Sequence, residues 1–386
     1  MGRIEVRYGI YRIILLVIIV MTPLTGFARA LYVEDYGYFV DIPEGWEILD
    51  GEDLSKVAFT DALHQTIFQI LSLEGSSHDS AEVLYGRLAS GLKVKGERVA
   101  YTYAGMDAVF ADVSFPAASQ PVKGYFVIIN GDIYDYALLM YTPTAVYEKN
   151  HDFMLSALDS FAAGPEQLVA PGPVTQFLSP FSGENDAEEV VDFFGNSLRI
   201  PTKSGAQEAS QALIEREARV LASYEADRAK AWERYYRIVY RDSYSRLGDL
   251  SHGMRALFRS ADVSQQEIPR LLLLWLQGQQ YERTGTFSDL LAPLTSVTEA
   301  RGDCDSRGIV YSILLSYFGI DSLLLVSSEY SHSVSAVDTS GSGARYDFEG
   351  KGYLIAELTD DVEIGLIAAD MADPAGWQPI RLGYQL

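Results

Sequence analysis

The chain has 386 residues, with 53 Asp+Glu against 30 Lys+Arg and a formal net charge of −23. That balance excludes general nucleic-acid binding, which depends on neutralising phosphates with Lys and Arg, and with 48% hydrophobic and 12% aromatic residues the chain has ample material for packed cores rather than disorder. A single cysteine excludes an intramolecular disulfide scaffold, and the length suits two domains of ~100–200 residues each.

The N-terminal stretch "MGRIEVRYGIYRIILLVIIVMTPLTGFARA" carries Arg3, Arg7 and Arg12 ahead of an apolar run from Ile13 to Met21. Ala28-Arg29-Ala30 follows as a small-x-small cleavage site, so residues 1–30 read as a secretory signal peptide. The apolar run falls short of the ~20 residues of a comfortable membrane span, and retention as an uncleaved N-terminal anchor is the alternative. No cysteine lies near the cleavage site, which excludes lipid attachment there. The expected location is therefore periplasmic or secreted, with no stable membrane span after cleavage.

From residue 31 the chain alternates short strands and turns. "YGYFVDIPEGWEI" turns at Pro43-Glu44-Gly45, and "TIFQILSL" is a second strand. "DSAEVLYGRLASGL" predicts a helix capped by Ser80, with Val83, Leu84 and Leu88 on its apolar face. Hairpins are expected about Ala104-Gly105 and Asn130-Gly131, and a helix over 144–161 closes the segment. Strands, helix, antiparallel strands and helix make an α+β fold. The opening "YFVDIPEGWEI" and the closing "SALDSF" helix resemble the PsbP-like family over roughly residues 31–163. The resemblance implies an antiparallel sheet with helices and a binding or structural role. His64, His78 and His151 have no metal spacing and read as solvated or capping residues; His252 reads as structural.

A Pro/Gly-rich linker is expected over 165–186, and a strand pair with a long helical lead-in over 187–261. In "RAKAWERYYRIVYRDSYSR", Trp232, Tyr235, Tyr236 and Val239 fall at helical spacing and predict a packing face. Arg228, Arg234 and Arg241 are expected to pair with acids such as Glu225.

The C-terminal domain, 262–386, holds the chemistry. In "EARGDCDSRGIVYSILLSYFG", Asp303 caps a helix and Cys304 occupies its first turn, where the helix dipole favours a thiolate. Asp303 and Asp305 oppose that, so a cationic partner is needed. "DSLLLVSSEYSHSVSAV" predicts two strands, the second opening at His332. "GYLIAELTD" predicts a third, pairing antiparallel with it across a Gly-rich turn, which brings His332 near Glu357 or Thr359. Nucleophile, base and orienting carboxylate then follow the logic of a Ser-His-Asp triad; Asp338, Asp360 and Asp361 compete with Glu357 as the acid.

Gly-Asp-Cys-Asp before a helix, then "SHSVSAV", then "GYLIAELT" resemble the transglutaminase-like superfamily over roughly residues 262–370. The resemblance implies a papain-type core with Cys304 as nucleophile, His332 as base and Glu357 as orienting acid. It also implies that Gln277, in the lead-in helix "LLLLWLQGQQY", polarises the oxyanion. No cofactor and no metal are implied. The expected activity is acyl transfer from a peptide or glutamine amide through a thioester, ending in hydrolysis or transamidation. The substrate would be an extracytoplasmic peptide or protein, with cell-wall peptide as one source. Two other readings remain open: a catalytically idle scaffold, and a redox-sensing thiol oxidised to a sulfenic acid or paired between chains.

Overall fold

The computed structural model describes residues 30–51, 53–75, 80–117, 120–181, 185–224 and 228–384. The signal peptide read over 1–30 lies outside them save Ala30, as do His78 and Glu225. The architecture is α+β with antiparallel main sheets, divided into two compact units.

Strands β1 (Ala30–Val33) and β2 (Tyr38–Asp41) pair antiparallel, Leu31 opposite Val40, and belong to the second unit. The first unit spans 45–102 and 106–154. Its strands are β3 (Glu47–Asp50), β4 (Lys56–Thr60) and β5 (Ile67–Glu74), then β6 (Arg98–Tyr103) and β7 (Met106–Ala117), then β8 (Gln120–Asn130) and β9 (Tyr134–Pro143). They form one sheet in the order β3-β4-β5-β9-β8-β7-β6. Helix α1 (Ala81–Leu92) starts where Ser80 Oγ accepts the Val83 N–H, and it packs Leu84, Tyr85 and Leu88 against Val109, Phe126, Ile128 and Leu139 of the sheet. Val83, expected on that face, is exposed. The β8–β9 turn is longer than a two-residue hairpin: Asn130 Nδ2 reaches across to Asp135 Oδ1 at 2.7 Å. Helix α2 (Tyr147–Asp159) closes the segment.

The second unit takes residues 155–384 together with 30–44 and 103–105. This departs from a domain ending at 164. Strand β10 (Ala162–Ala163) adds to β2, and residues 165–181 of the stretch expected as a linker fold into this unit. Pro165–Val169 form a 3-10 turn and Pro173–Leu178 form helix α3, with Pro173 to Gln176 buried. Asp159 caps α3: its Oδ1 accepts the N–H groups of Val174 and Thr175 at 2.9 Å each, and its Oδ2 accepts from Thr175 Oγ1 at 2.6 Å. Proline density marked a break in regular structure; it could not say that the backbone polar groups find partners.

Hairpin β11 (Ala187–Phe193) and β12 (Asn196–Thr202) turns through Phe194 and Gly195, both left-handed (φ 52° and 80°). The helical lead-in is three helices rather than one, α4 (Ala206–Ala222), α5 (Arg228–Tyr244) and a third over Gly248–Ser260. Tyr235, Tyr236 and Val239 are buried as expected, and Trp232 packs against the same core. Arg234 pairs with Glu217 at 3.1 Å. Arg241 instead spends its guanidinium on five carbonyl oxygens, of Gln167, Ala170, Asp159, Ser160 and Phe161, at 2.7–3.2 Å. It completes the end of α2 and the turn after it, where carbonyls lack intrahelical partners.

Helices α6 (Gly248–Ser260) and α7 (Ile268–Gln277) lead into β13 (Gln280–Tyr281), α8 (Pro293–Glu299) and β14 (Arg301–Gly302). Helix α9 (Cys304–Tyr317) follows, then β15 (Ser322–Ser327), β16 (His332–Val337), β17 (Arg345–Phe348), β18 (Lys351–Ala356) and β19 (Gln378–Ile380). The last five strands form a sheet in the order β17-β18-β16-β15-β19. The segment expected as a Gly-rich turn thus contains β17. Ile309, Val310, Ile313 and Leu314 of α9 share one core with Leu324, Val326, Leu354, Ala356 and Leu358 of the sheet side. Among the described residues no helix is long and apolar enough to cross a membrane.

Candidate active site

Cys304 is the first residue of α9, and Asp303 is its N-cap, with extended backbone (φ −87°, ψ −171°). Asp303 Oδ1 accepts the Ser306 N–H at 2.9 Å and the Ser306 hydroxyl at 2.6 Å, while Ser306 Oγ accepts the Leu291 N–H at 2.9 Å. The cap therefore ties the 283–291 loop to the start of the helix. Burial, followed by the charge of Asp305, pushes the Asp303 carboxyl up to about 6 against the pull of Ser306.

The thiol is 4% exposed, with Sγ 4.0 Å from Asp305 Oδ1. Asp305 Oδ2 accepts the Tyr236 hydroxyl at 3.0 Å. Burial raises the Asp305 carboxyl, opposed by the nearby Ser333 hydroxyl, by the Tyr236 hydrogen bond and by the charge of His332.

Antiparallel pairing of β16 with β18 sets Ser335 opposite Ala356 and Val337 opposite Leu354. Carried on, that register places Thr359 across from His332, with Glu357 beside it. His332 Nε2 lies 2.8 Å from Glu357 Oε2. Glu357 is 4% exposed, and its second oxygen accepts the Thr359 N–H at 2.8 Å and the Thr359 hydroxyl at 2.6 Å. Burial pushes the Glu357 carboxyl up, but the His332 bond and charge and the two Thr359 donors outweigh it, so it is lowered. The Cys304 side chain also lies near enough to His332 to act on its imidazole. Since Nε2 faces Glu357, Nδ1 is the nitrogen left for sulfur. Burial alone would lower the imidazole; the Cys304 side chain and the Glu357 bond push it up to about 10. The ring of Trp377 sits edge-on to His332 at 6.3 Å, fixed by its own N–H to the Met371 carbonyl at 2.9 Å.

The competing acids lie elsewhere. Asp338 pairs with Lys351 at 2.8 Å, and Asp360 and Asp361 are exposed.

Gln277 departs from its expected role. Its Nε2 donates to the carbonyls of Glu357 and Val362 at 2.8 Å each, which uses both amide hydrogens. It braces the turn that carries Glu357 and has no donor left for an oxyanion. Two residues that the sequence did not single out stand closer to the chemistry. Tyr281 is half exposed and lies within electrostatic reach of Cys304. Arg307 is buried in α9; it donates to the Leu358 carbonyl at 2.9 Å and the Gln279 carbonyl at 2.8 Å, with its guanidinium 5.7 Å from the Tyr281 ring centre. It fastens α9 to the turn after β18 and to the approach to β13. The one signal for it was a lone cation at the start of an apolar helix.

No family model matches the chain, and no curated protein matches it. Several solved structures are similar at low identity, among them the following three. The cyanobacterial PsbP of Synechocystis sp. PCC 6803 is 12% identical with a TM-score of 0.30, covering 37% of this chain, in its N-terminal part, and 98% of that one. A Pseudomonas aeruginosa protein of unknown function, described as a putative regulator, is 12% identical with a TM-score of 0.22, covering 33% and 90%. A crystal structure from Bacteroides thetaiotaomicron VPI-5482 is 9% identical with a TM-score of 0.28, covering 85% and 89%. None of these descriptions names a transglutaminase-like protein.

Proposed function

We propose that the chain is an exported thiol acyl-transfer enzyme of the transglutaminase-like superfamily, acting on peptide or glutamine amides through Cys304, His332 and Glu357. The observation that carries this reading is an imidazole bonded to a buried, fully hydrogen-bonded carboxylate and within electrostatic reach of the one thiol at the start of α9. A histidine oriented by a carboxylate beside a thiol is the arrangement that activates sulfur as a nucleophile.

In the reaction the Cys304 thiolate attacks the amide carbonyl carbon, and the oxyanion forms against the N-terminal N–H groups of α9, which have no intrahelical partners. Tyr281 takes the side-chain donor role that Gln277 cannot fill. As the C–N bond breaks, His332 gives its proton to the leaving amine and a thioester remains. Water or an amine then attacks the thioester, His332 takes the incoming proton, and sulfur leaves.

The test is capture of the acyl-enzyme. Incubation with p-nitrophenyl acetate should acetylate Cys304, read by mass spectrometry of the intact chain. Cys304→Ser should abolish the adduct and His332→Ala should slow it. Equal acetylation of wild type and His332→Ala would sink the reading. A second reading, an idle scaffold, is favoured by the two aspartates flanking a thiol that is only 4% exposed; a thiol inert to acylation would support it.

A further inference from the structure

Asp305 is the second residue of α9, next to the thiol, and it is half-buried. Cys304 Sγ donates to its Oδ1 at 4.0 Å, and the Tyr236 hydroxyl donates to its Oδ2 at 3.0 Å. Tyr236 is buried in α5, with its ring edge-on to that of Tyr235 at 5.0 Å between centres. One oxygen of the carboxylate is thus gripped from a second helix while the other faces the sulfur. A thiol is a weak donor, so the S–H bond itself counts for little. The charge counts for more: ionising Cys304 would set a thiolate against a carboxylate at that distance, and like charges so close disfavour the second ionisation. The other ionisable groups around Asp305 are Asp303 on its own helix, Tyr235 on α5, His332 on β16 and Arg283 on the 283–291 loop. The His332–Glu357 bond is made without Asp305, since Thr359 fills the second oxygen of Glu357. A carboxylate in the first turn also suits the helix dipole, but that role requires neither the Tyr236 bond nor an oxygen turned to the sulfur.

We propose that Asp305 is a positioning residue that keeps the Cys304 thiol protonated at rest, with Tyr236 holding its carboxylate beside the sulfur, so that neutralising this one negative charge arms the nucleophile. Its role as a lock rests on the acyl-transfer reading; its charge effect on the thiol is measured apart from it.

The experiment is the pH profile of iodoacetamide labelling at Cys304. Asp305→Asn keeps the shape and removes the charge, and the profile should move to lower pH by about one unit, the lower end of the effect of a close charge. Tyr236→Phe frees the carboxylate to leave the sulfur and should move the profile the same way by less. Asp305→Glu, which keeps the charge, should stay nearer wild type than Asp305→Asn. A purely structural role would lower the urea midpoint and leave the profile in place. A profile unmoved in Asp305→Asn, or moved to higher pH, overturns the proposal and leaves the triad standing. His332→Ala tests the triad separately: a profile that this change leaves as in wild type overturns the acyl-transfer reading, while Asp305→Asn in the same background still reads the charge effect. A thiol inert in every variant overturns both.

Discussion

His332 Nε2 and Glu357 Oε2 lie 2.8 Å apart, and the far oxygen of that carboxylate is held by both donors of Thr359. The acid cannot swing away without abandoning two hydrogen bonds, so the imidazole has one orientation. Glu357→Gln keeps the shape and removes the charge. The imidazolium, pushed up to about 10 in the intact site, should then titrate lower. The pH profile of iodoacetamide labelling should move toward the free-thiol range near ~8.5. A profile identical to wild type would remove Glu357 from the triad.

Alkylation and acylation separate the roles of Tyr281. Displacement of iodide develops no oxyanion, whereas acylation does. Tyr281→Phe should leave iodoacetamide labelling near wild type and slow acetylation by p-nitrophenyl acetate about a hundredfold, the usual scale for one oxyanion donor. Parallel loss of both rates would assign the phenol to positioning the thiol instead.

Arg307 is a buried cation with two carbonyl acceptors from different segments. Arg307→Met leaves both acceptors buried, at about 1–3 kcal/mol for each one unsatisfied. Urea unfolding should show that loss. Labelling of Cys304 should also slow in the molecules that remain folded, because α9 loses its tie to the turn carrying Glu357.

Asp303 gives a pH dependence of opposite sign to most carboxylates. Its folded carboxyl is raised to about 6 from 3.8, so the folded chain holds this proton more tightly than the unfolded one. Its contribution therefore falls as pH rises from 3.8 to about 6, and the deficit persists above that. Asp303→Asn retains a good cap and lacks the charge. Denaturant midpoints on either side of the window should show a gain for the variant above it and little difference below. A variant that is less stable above the window would contradict this assignment.

The core of the site was legible in the sequence because each member sits at a punctuation point. Asp303 reads as a cap before an apolar helix, His332 opens a strand after a short turn, and Glu357 ends the next. Period-two alternation then sets the cross-strand meeting. Other features left no periodic trace. The β13–β14 ladder is two residues long, too short for alternation to register, yet it sets Tyr281 level with Gly302, two residues before the thiol. Gln277 was placed in the right neighbourhood, but an amide's role depends on which acceptors it meets, here two backbone carbonyls. Arg241 read as one member of a charge-paired series because composition supplies acids and says nothing of carbonyls. The stretch 165–178 read as a linker from its prolines, although Asp159 and Arg241 hold it in the second unit.

Helix α9 is buried at every position from Ser306 to Leu315. A thiol rooted in so interior an element has no private flexibility: motions that would loosen it are openings of the surrounding unit, which cost far more than the fraying of a loop. Because the chain carries one sulfhydryl, a stoichiometric thiol reagent marks one atom per molecule without background. In the intact protein that atom is buried, and in the denatured protein it is open to solvent as an ordinary cysteine. Reactivity at a single position thus distinguishes a folded molecule from an unfolded one, and batches of the protein can be graded by chemistry alone.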